Sequence, residues 1–407
     1  MLPVVTSLTP PVALPWSERC ARLAHEAPPD LAVFISLSGA GGVEKMVFHL
    51  LHEWAHCGLR IDLVLLREHS PHLGALPAGV RVIALGVQHH ALSVGRLRDY
   101  LQCCQPPVLL AAKDRAGRVA LKARAKARVT TRIYIRLGTH LSAALADKAA
   151  WLRWLRIFPM RRLYAQADGV IAVSAGVGED VSALTGLETA RIHCLPNPVI
   201  TPTMLDLAKA PCPHPWLEDA ALPVIMGIGR LTRQKDFATL LRAFAHVRQQ
   251  HPARLLILGE GAQRQSLQHL SLQLGVAEHV QFPGFAQNPY AWLARARLFV
   301  LSSRWEGSPN VLTEALALGV PVVATDCPSG PRELLQDGRL GRLVRPGDNE
   351  DLAMAMLATL YAPQTPGELM AAVQAYQAAS SANGYLQVLG LLAGADTSPS
   401  VAPGHGA

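Results

Sequence analysis

The sequence lacks the features that mark several classes of protein. Its seven cysteines are an odd number without a Cys-x-x-Cys pair, so we expect neither a disulfide framework nor a zinc site. The N-terminus has no basic start followed by an unbroken apolar stretch, and no apolar run reaches about 18 residues. We therefore expect neither a secretory leader nor a membrane span, and we expect the reducing cytoplasm as the location.

Charge is also scarce, because only 17% of the 407 residues are charged whereas 50% are hydrophobic. Such a chain is not disordered and can bury a sizeable core, and its length favours two domains of roughly 100–200 residues each. The net charge is +8, which indicates an anionic partner such as nucleic acid, anionic lipid or a phosphorylated substrate. Composition does not choose among these three.

Apolar runs alternate with helical stretches through both halves of the chain. Runs of Val, Ile and Leu bounded by turn residues are typical of buried parallel strands, and their alternation with helices predicts two α/β domains with doubly wound parallel sheets. The predicted strands are 31–38, 61–66, 80–85, 108–112, 132–137, 169–174 and 192–196 in the first half, and 224–229, 254–258, 280–282, 298–301, 320–324 and 342–344 in the second.

The proline-rich stretch between the two series has no clear apolar period, which predicts an interdomain linker, and the end of the chain is rich in Gly, Pro and Ser, which predicts disorder. The predicted division is an extension (1–30), a first domain (31–203), a linker (204–222), a second domain (223–380), a last helix (381–395) and a tail (396–407).

The clearest chemical motif follows the strand at 298–301 and reads Glu306-Gly-Ser-Pro-Asn-Val-Leu-Thr-Glu314. Ser308 can cap a helix whose first residue is Pro309, and the amides near Asn310 and Val311 would then face outward at a helix end that binds diphosphate. The two carboxylates, eight residues apart, should meet different parts of one ligand. A capped helix with two solvated glutamates is the alternative.

A basic pair follows the first strand of the second half. Gly229 and Arg230 end this strand, and Lys235 comes five residues after the arginine. The carboxyl ends of strands in α/β sheets bind ligands, and these two cations suit phosphate oxygens. Two ordinary surface cations are the alternative.

Two weaker signals lie in the first half. Gly41 and Gly42 form a turn that lets the backbone approach a ligand, but Glu44 replaces the last glycine of a G-x-G-x-x-G motif. Arg136 and His140 follow the fifth strand, where the arginine can meet an anion and the histidine a sugar hydroxyl or phosphate. A plain tight turn and a structural histidine are the alternatives.

Basic and aromatic residues concentrate in two stretches of the first domain. Residues 113–136 carry nine basic residues and one acidic residue, and residues 151–164 interleave arginine with Trp and Phe. This composition suits the surface of an anionic membrane. A solvated basic helix with a buried aromatic segment is the alternative, and the lack of a recognisable nucleic-acid module argues against nucleic acid.

Taken together in their order, these segments resemble glycosyltransferase family 4, which has the GT-B architecture of two facing Rossmann-like domains. The resemblance spans roughly residues 31–360. Residues 326–332 and 338–348 are similar to the branch that builds bacterial surface polysaccharide and lipopolysaccharide.

The resemblance implies roles for the motif residues. Glu306 would contact hydroxyls of the transferred sugar, Glu314 would hold the ribose, and Arg230 with Lys235 would stabilise the leaving diphosphate. The implied donor-binding residues are Gly41, Gly42, Gly229, Arg230, Lys235, Glu306, Asn310, Val311, Leu312 and Glu314; the implied catalytic residues are Glu306, Arg230, Lys235 and His140, with Arg136 meeting the acceptor or an anion.

Members of this type usually work without a metal, and the absence of an Asp-x-Asp pair at a strand end agrees, so we expect no cofactor. Two-step retention needs a carboxylate nucleophile under the sugar ring, and no candidate stands out in the sequence. We therefore expect a same-face substitution in which the leaving phosphate accepts the acceptor's proton.

The sequence thus predicts a retaining glycosyltransferase that moves a sugar from a nucleotide diphosphate donor, with uridine the commonest base in this branch, to a lipid-linked or glycan acceptor at the inner face of the cell membrane. A nucleotide-sugar epimerase or phosphorylase of the same architecture, or a non-catalytic nucleotide-sugar-binding partner, is the alternative. No pyridoxal-binding lysine site is recognisable, which disfavours a phosphorylase.

Overall fold

The computed structural model describes residues 15–36, 42–67, 76–87, 90–212, 214–219 and 221–392. Within these ranges the strands form two parallel sheets, one in each half of the chain. The predicted α/β class with two doubly wound domains is therefore confirmed.

The N-terminal domain is built on a sheet with the order β3-β2-β1-β4-β5-β6-β7. Its described strands are β1 (Leu31–Ile35), β2 (Ile61–Leu65), β3 (Val80–Ala84), β4 (Val108–Ala111), β5 (Arg132–Leu137), β6 (Gly169–Ala172) and β7 (Ile192–Cys194). Its described helices are α1 (Trp16–Ala24), α2 (Gly42–His56), α3 (His90–Cys104), α4 (Asp114–Ala127), α5 (Leu141–Leu145), α6 (Ala150–Tyr164) and α7 (Ala175–Thr185).

Two short helices occupy the predicted linker: α8 (Pro202–Ala208), which begins two residues before it, and α9 (Pro215–Glu218) within it. Each begins with a proline, and the Thr201 hydroxyl caps α8 by accepting the amide of Met204 at 3.0 Å. Met204 is buried in the core of the second domain. The helices span only seven and four residues, too few to show a helical period in the sequence.

The C-terminal domain is built on a sheet with the order β10-β9-β8-β11-β12-β13. Its described strands are β8 (Val224–Ile228), β9 (Arg254–Leu258), β10 (Val280–Gly284), β11 (Leu298–Leu301), β12 (Val322–Thr325) and β13 (Arg342–Val344). The helices described after β8 are α10 (Phe237–Gln250), α11 (Arg264–Gln273), α12 (Pro289–Leu293), α13 (Asn310–Ala317), α14 (Pro331–Leu334), α15 (Asn349–Tyr361), α16 (Pro366–Ala372) and α17 (Ala378–Leu389).

The last described helix returns to the N-terminal domain. The predicted range was 381–395, whereas α17 runs from Ala378 to Leu389. Tyr385 packs in the core against Trp54 of α2, whose indole N–H donates to the carbonyl of Ala382 at 3.1 Å. The chain therefore crosses between the domains twice, and Ala378 donates to the carbonyl of Ile200 where the crossings meet. The predicted tail lies outside the described residues.

In both sheets the winding reverses next to the first strand, between β1 and β4 and between β8 and β11. In open α/β sheets, ligands bind outside the carboxyl ends of strands at such a reversal. The loops that follow these strands are therefore where a site is expected.

Candidate active site

The two domains meet through the loops at the carboxyl ends of their strands. The His140 amide donates to the Glu306 carbonyl at 3.3 Å, and the Ser174 hydroxyl donates to the Gly307 carbonyl at 2.8 Å. A Cβ on Gly307 would lie 2.4 Å from the carbonyl oxygen of Gly138. Because no real side chain tolerates that distance, only glycine allows the two backbones to touch here.

Glu306 and Lys235, predicted separately from two motifs, form a direct ion pair. The Lys235 Nζ lies 2.6 Å from Glu306 Oε1, and the Ser303 hydroxyl donates to the same oxygen at 2.6 Å. The lysine stem crosses the end of β8, where a Cβ on Gly229 would lie 3.1 Å from Lys235 Cε. The structure thus brings three predicted residues together at the edge of the second sheet.

Arg230 lies exposed on the same edge and influences a cation of the opposite domain. Burial lowers the pKa of Lys113, which follows β4, and the charges of Arg136 and Arg230 lower it further against the opposing effect of Glu44. The Lys113 ammonium donates to the Ser36 carbonyl at 3.1 Å. Basic side chains therefore gather where both sheets face the cleft, which favours an anionic ligand.

Glu314 is buried and pairs across the domain boundary. Its Oε1 lies 3.1 Å from the Nζ of Lys45 on α2, and this ammonium also contacts the Tyr290 hydroxyl. Burial alone would lower the pKa of Lys45, but Glu314 and Tyr290 outweigh it and raise that pKa. Glu306 and Glu314 therefore bind different cations, each in its own surroundings.

The start of α13 differs from the prediction. The helix begins at Asn310, and Pro309 precedes it with ψ 96°, outside the helical range. No described side chain caps this helix, so the expected capping by Ser308 is wrong. The Leu312 amide donates to the Pro309 carbonyl at 2.9 Å, whereas first-turn amides such as those of Asn310 and Val311 lack an intrahelical acceptor and remain for a ligand.

Gly42, the described residue of the predicted glycine turn, lies opposite α13. Gly41 lies outside the described residues, but Gly42 begins α2, and a Cβ on it would lie 3.5 Å from Asn310 Nδ2. The N-termini of α2 and α13 therefore face each other across the cleft. Two positive helix ends with basic side chains beside them suit a diphosphate.

His140 is held by its own helix. Its Nδ1 accepts the Ala143 amide at 3.3 Å, and Asp180 accepts the amides of Leu141 and Ser142 at 2.6 and 3.1 Å. The imidazole is therefore part of a cap at the start of α5, next to the contact with Glu306. His140 is thus a structural cap of α5 that also lies beside the cleft. The sequence had left a structural role and a role at the ligand as alternatives for this residue.

Arg136 is buried rather than open to the cleft, with 2% of its surface exposed. Its Nη2 donates to the Asn197 side-chain oxygen at 2.6 Å. Any contact with an anion must therefore pass through other groups.

Four contact residues were missing from the sequence prediction: Lys45, Tyr290, Asn197 and Glu333. The Glu333 carboxylate accepts the amides of Ala175 at 2.9 Å and Gly176 at 3.0 Å across the domain boundary. Lys45 lies next to the glycine turn, and Glu333 ends the turn segment 326–333 that follows a strand of the second half, so both had a local signal. Tyr290 and Asn197 had none, because they acquire their partners through domain contact.

Comparison with known proteins gives the family. The model described as "Glycosyl transferase 4-like domain" matches residues 41–198, and that described as "Glycosyl transferases group 1" matches residues 222–361. An N-acetylgalactosamine-N,N'-diacetylbacillosaminyl-diphospho-undecaprenol 4-alpha-N-acetylgalactosaminyltransferase of Campylobacter jejuni is 35% identical over 50% of this chain and 53% of its own length. The chain thus spans about half the length of that curated relative.

Two solved structures share the fold over nearly their whole length. The apo lipopolysaccharide outer core galactosyltransferase WaaB matches with TM-score 0.68 and 21% identity, over 88% of this chain and 98% of that one. HepE from Anabaena, in complex with UDP, matches with TM-score 0.71 and 20% identity, over 89% of this chain and 100% of that one. With both family models matched in order, the chain belongs to glycosyltransferase family 4 and has the GT-B architecture.

Proposed function

We propose that this glycosyltransferase transfers a sugar, with retention, from a UDP-sugar to a lipid-linked or lipopolysaccharide or polysaccharide acceptor. One observation supports a nucleotide diphosphate donor: the positive N-terminal ends of α2 and α13, at Gly42 and Asn310, face each other across the cleft. Lys235 and Arg230 lie beside them at the edge of the second sheet. The UDP in the HepE complex supports the choice of base. The acceptors named in the C. jejuni and WaaB proteins support the acceptor class.

The proposed reaction breaks the bond between the anomeric carbon and the phosphate oxygen and forms the bond to the acceptor oxygen on the same face. The acceptor hydroxyl loses its proton to the leaving phosphate. Arg230, Lys235 and the amides at the start of α13 stabilise the charge that develops on the diphosphate. Glu306 orients the transferred sugar and Glu314 the ribose. Because Arg230 and Lys235 supply the positive charge at the diphosphate, the proposed mechanism uses no metal.

Release of nucleoside diphosphate from UDP-sugars, with and without a lipid-linked acceptor, tests this proposal. An epimerase would change the sugar without releasing UDP. Arg230→Ala should lower turnover more than donor affinity, because its charge acts mainly in the transition state. Arg345→Ala is the matched control, since this arginine is an exposed cation of the same domain. Normal turnover of Arg230→Ala, with weaker binding of donor and UMP alike, would contradict the leaving-group role.

We propose that the protein acts at the cytoplasmic face of the membrane, and the side chains of helix α6 support this location. In the part of the chain that the structure describes, no helix combines the length and hydrophobicity of a membrane span. On α6, however, Trp151 is 64% and Trp154 59% exposed, and Phe158 stacks on Trp154 with ring centroids 5.0 Å apart. Exposed arginines such as Arg153 share this helix. Exposed aromatics beside cations suit an anionic bilayer surface.

Two cations of the basic stretch at 113–136 are paired within the first domain. The stretch contains α4, on which Arg118 pairs with Asp114 at 2.9 Å and Arg124 with Asp168 at 2.5 Å. The apolar face of α4 is buried in its own domain, whereas Arg115, Lys122 and Lys126 are exposed on one face of this helix. We therefore propose that α6 supplies aromatic contacts with the membrane and that the exposed face of α4 adds basic ones.

Co-sedimentation with anionic and neutral vesicles tests this assignment. Replacing Trp151, Trp154 and Phe158 by serine should weaken binding to anionic vesicles at least about tenfold, since each buried aromatic contributes ~1.5–3 kcal/mol. Serine at Leu272 and Met354, which are exposed on the second domain, is the control. Equal binding of all proteins, or equal recovery with both vesicle types, would refute the membrane role of α6.

A further inference from the structure

A line of side chains runs from the core of the first domain to the first residue of α13. The Arg136 Nη2 donates to Asn197 Oδ1 at 2.6 Å, and the Asn197 Nδ2 donates to Asn310 Oδ1 at 2.7 Å. Arg136 and Asn197 are 2% and 3% exposed. The line crosses the domain boundary, since Asn310 belongs to the second domain.

The arginine determines the direction of every bond in this line. A guanidinium carries only donors, so Asn197 must turn its oxygen to Arg136 and its NH₂ to Asn310. Asn310 must then turn its own oxygen to Asn197, and its NH₂ points away. That NH₂ lies near Gly42, where the N-termini of α2 and α13 meet.

The charge of Arg136 also indicates an anionic ligand in the cleft. Within the described ranges, Arg136 has no carboxylate partner, and its buried Nε and Nη1 have no hydrogen-bond partner. A buried charge without a paired opposite charge is costly. A buried cation in this state is stabilised by an anionic ligand nearby and is unfavourable without one.

We propose that Arg136 and Asn197 are positioning residues that orient the Asn310 amide, so that its NH₂ donates to the diphosphate of the donor. This inference rests on the proposed nucleotide diphosphate donor. Arg136 then serves the anion, as the sequence suggested, but acts through two asparagines rather than by contact.

Asn197→Asp tests the orientation. The new carboxylate still accepts from Arg136, but it also accepts from Asn310, which must turn its amide and point its carbonyl oxygen at the ligand. Asn197→Asp should therefore weaken the binding of UDP and of inorganic pyrophosphate at least about tenfold, as should Asn310→Ala. The double variant Asn197→Asp/Asn310→Ala lacks the amide at position 310 that would turn. Its affinities for both probes should therefore equal those of Asn310→Ala within about twofold.

The double variant separates orientation from charge, because the carboxylate at position 197 is present in it. Asn288→Asp is the matched control, since it removes one donor bond, to the Leu207 carbonyl at 2.8 Å, and keeps the capping oxygen of α12. It should bind both probes like the unmodified protein. Thermal unfolding of each variant shows whether the fold is kept.

Calorimetry with both probes distinguishes the outcomes. Wild-type affinity in Asn197→Asp, or a double variant more than about threefold weaker than Asn310→Ala, would overturn the relay while leaving the proposed function in place. Binding of pyrophosphate without UDP would overturn the choice of base, and the relay would then be judged on pyrophosphate. Failure of the unmodified protein to bind either probe would overturn both proposals.

Discussion

Lys235→Met should destabilise the second domain strongly, because it removes the cation from a buried pair. The Lys235 and Glu306 side chains are only 15% and 9% exposed, and their charged atoms lie 2.6 Å apart. The variant leaves a buried carboxylate with Ser303 as its hydrogen-bonding side chain. Removing one partner of such a pair costs about 3–5 kcal/mol, a large share of the ~5–15 kcal/mol that stabilises a domain.

Urea unfolding of Lys235→Met, Glu306→Gln and the double variant measures this cost. The double variant should recover about 2 kcal/mol or more relative to Lys235→Met, because a neutral amide needs no cation. Arg339→Met is the control, since Arg339 and Glu368 are 55% and 42% exposed and such pairs contribute about 0–1 kcal/mol. Two results would refute the interpretation that this ion pair is shielded from water. One is a loss of unfolding free energy below about 1 kcal/mol in Lys235→Met, and the other is a double variant as unstable as that single variant.

Three further predictions concern other parts of the cleft. Glu314→Ala should weaken UDP binding by about 1.5–3 kcal/mol in calorimetry, and unchanged affinity would remove its ribose role. Gly307→Ala should lower transfer about 100-fold by parting the loops, whereas Gly367→Ala, whose Cβ meets nothing within 4 Å, should transfer sugar normally; equal rates would contradict the backbone contact. Burial raises the pKa of the Cys327 thiol to about 12, so at pH 8 it stays protonated and iodoacetamide should label exposed Cys57 first; early labelling of Cys327 in peptide mapping would contradict this.

The strands were the most predictable part of the fold. A strand buried on both faces, such as β1 or β4, needs an almost continuous apolar run, and that run is visible without any tertiary information. The short proline-initiated helices α8 and α9 were not predictable from periodicity. The start of α13 was placed one residue early because proline suits both the position before a helix and its first turn.

The site was predictable as far as strand ends indicate it. Glu306 and Lys235 follow neighbouring strands of one sheet, so their proximity follows from topology. The partners of Glu314 and Asn310 are Lys45 and Asn197, which lie 269 and 113 residues earlier in the chain. No local pattern connects residues so far apart.

The sequence by itself determined the two series of strands, the residues at their carboxyl ends and the motif that identifies the family, because apolar runs and turn residues depend on short stretches of chain. Only the tertiary structure decided which cation meets each carboxylate, that α6 rather than α4 exposes its apolar side chains, and that Arg136 reaches the cleft through two asparagines. These features depend on how complete domains pack, and packing combines side chains that are distant in the chain.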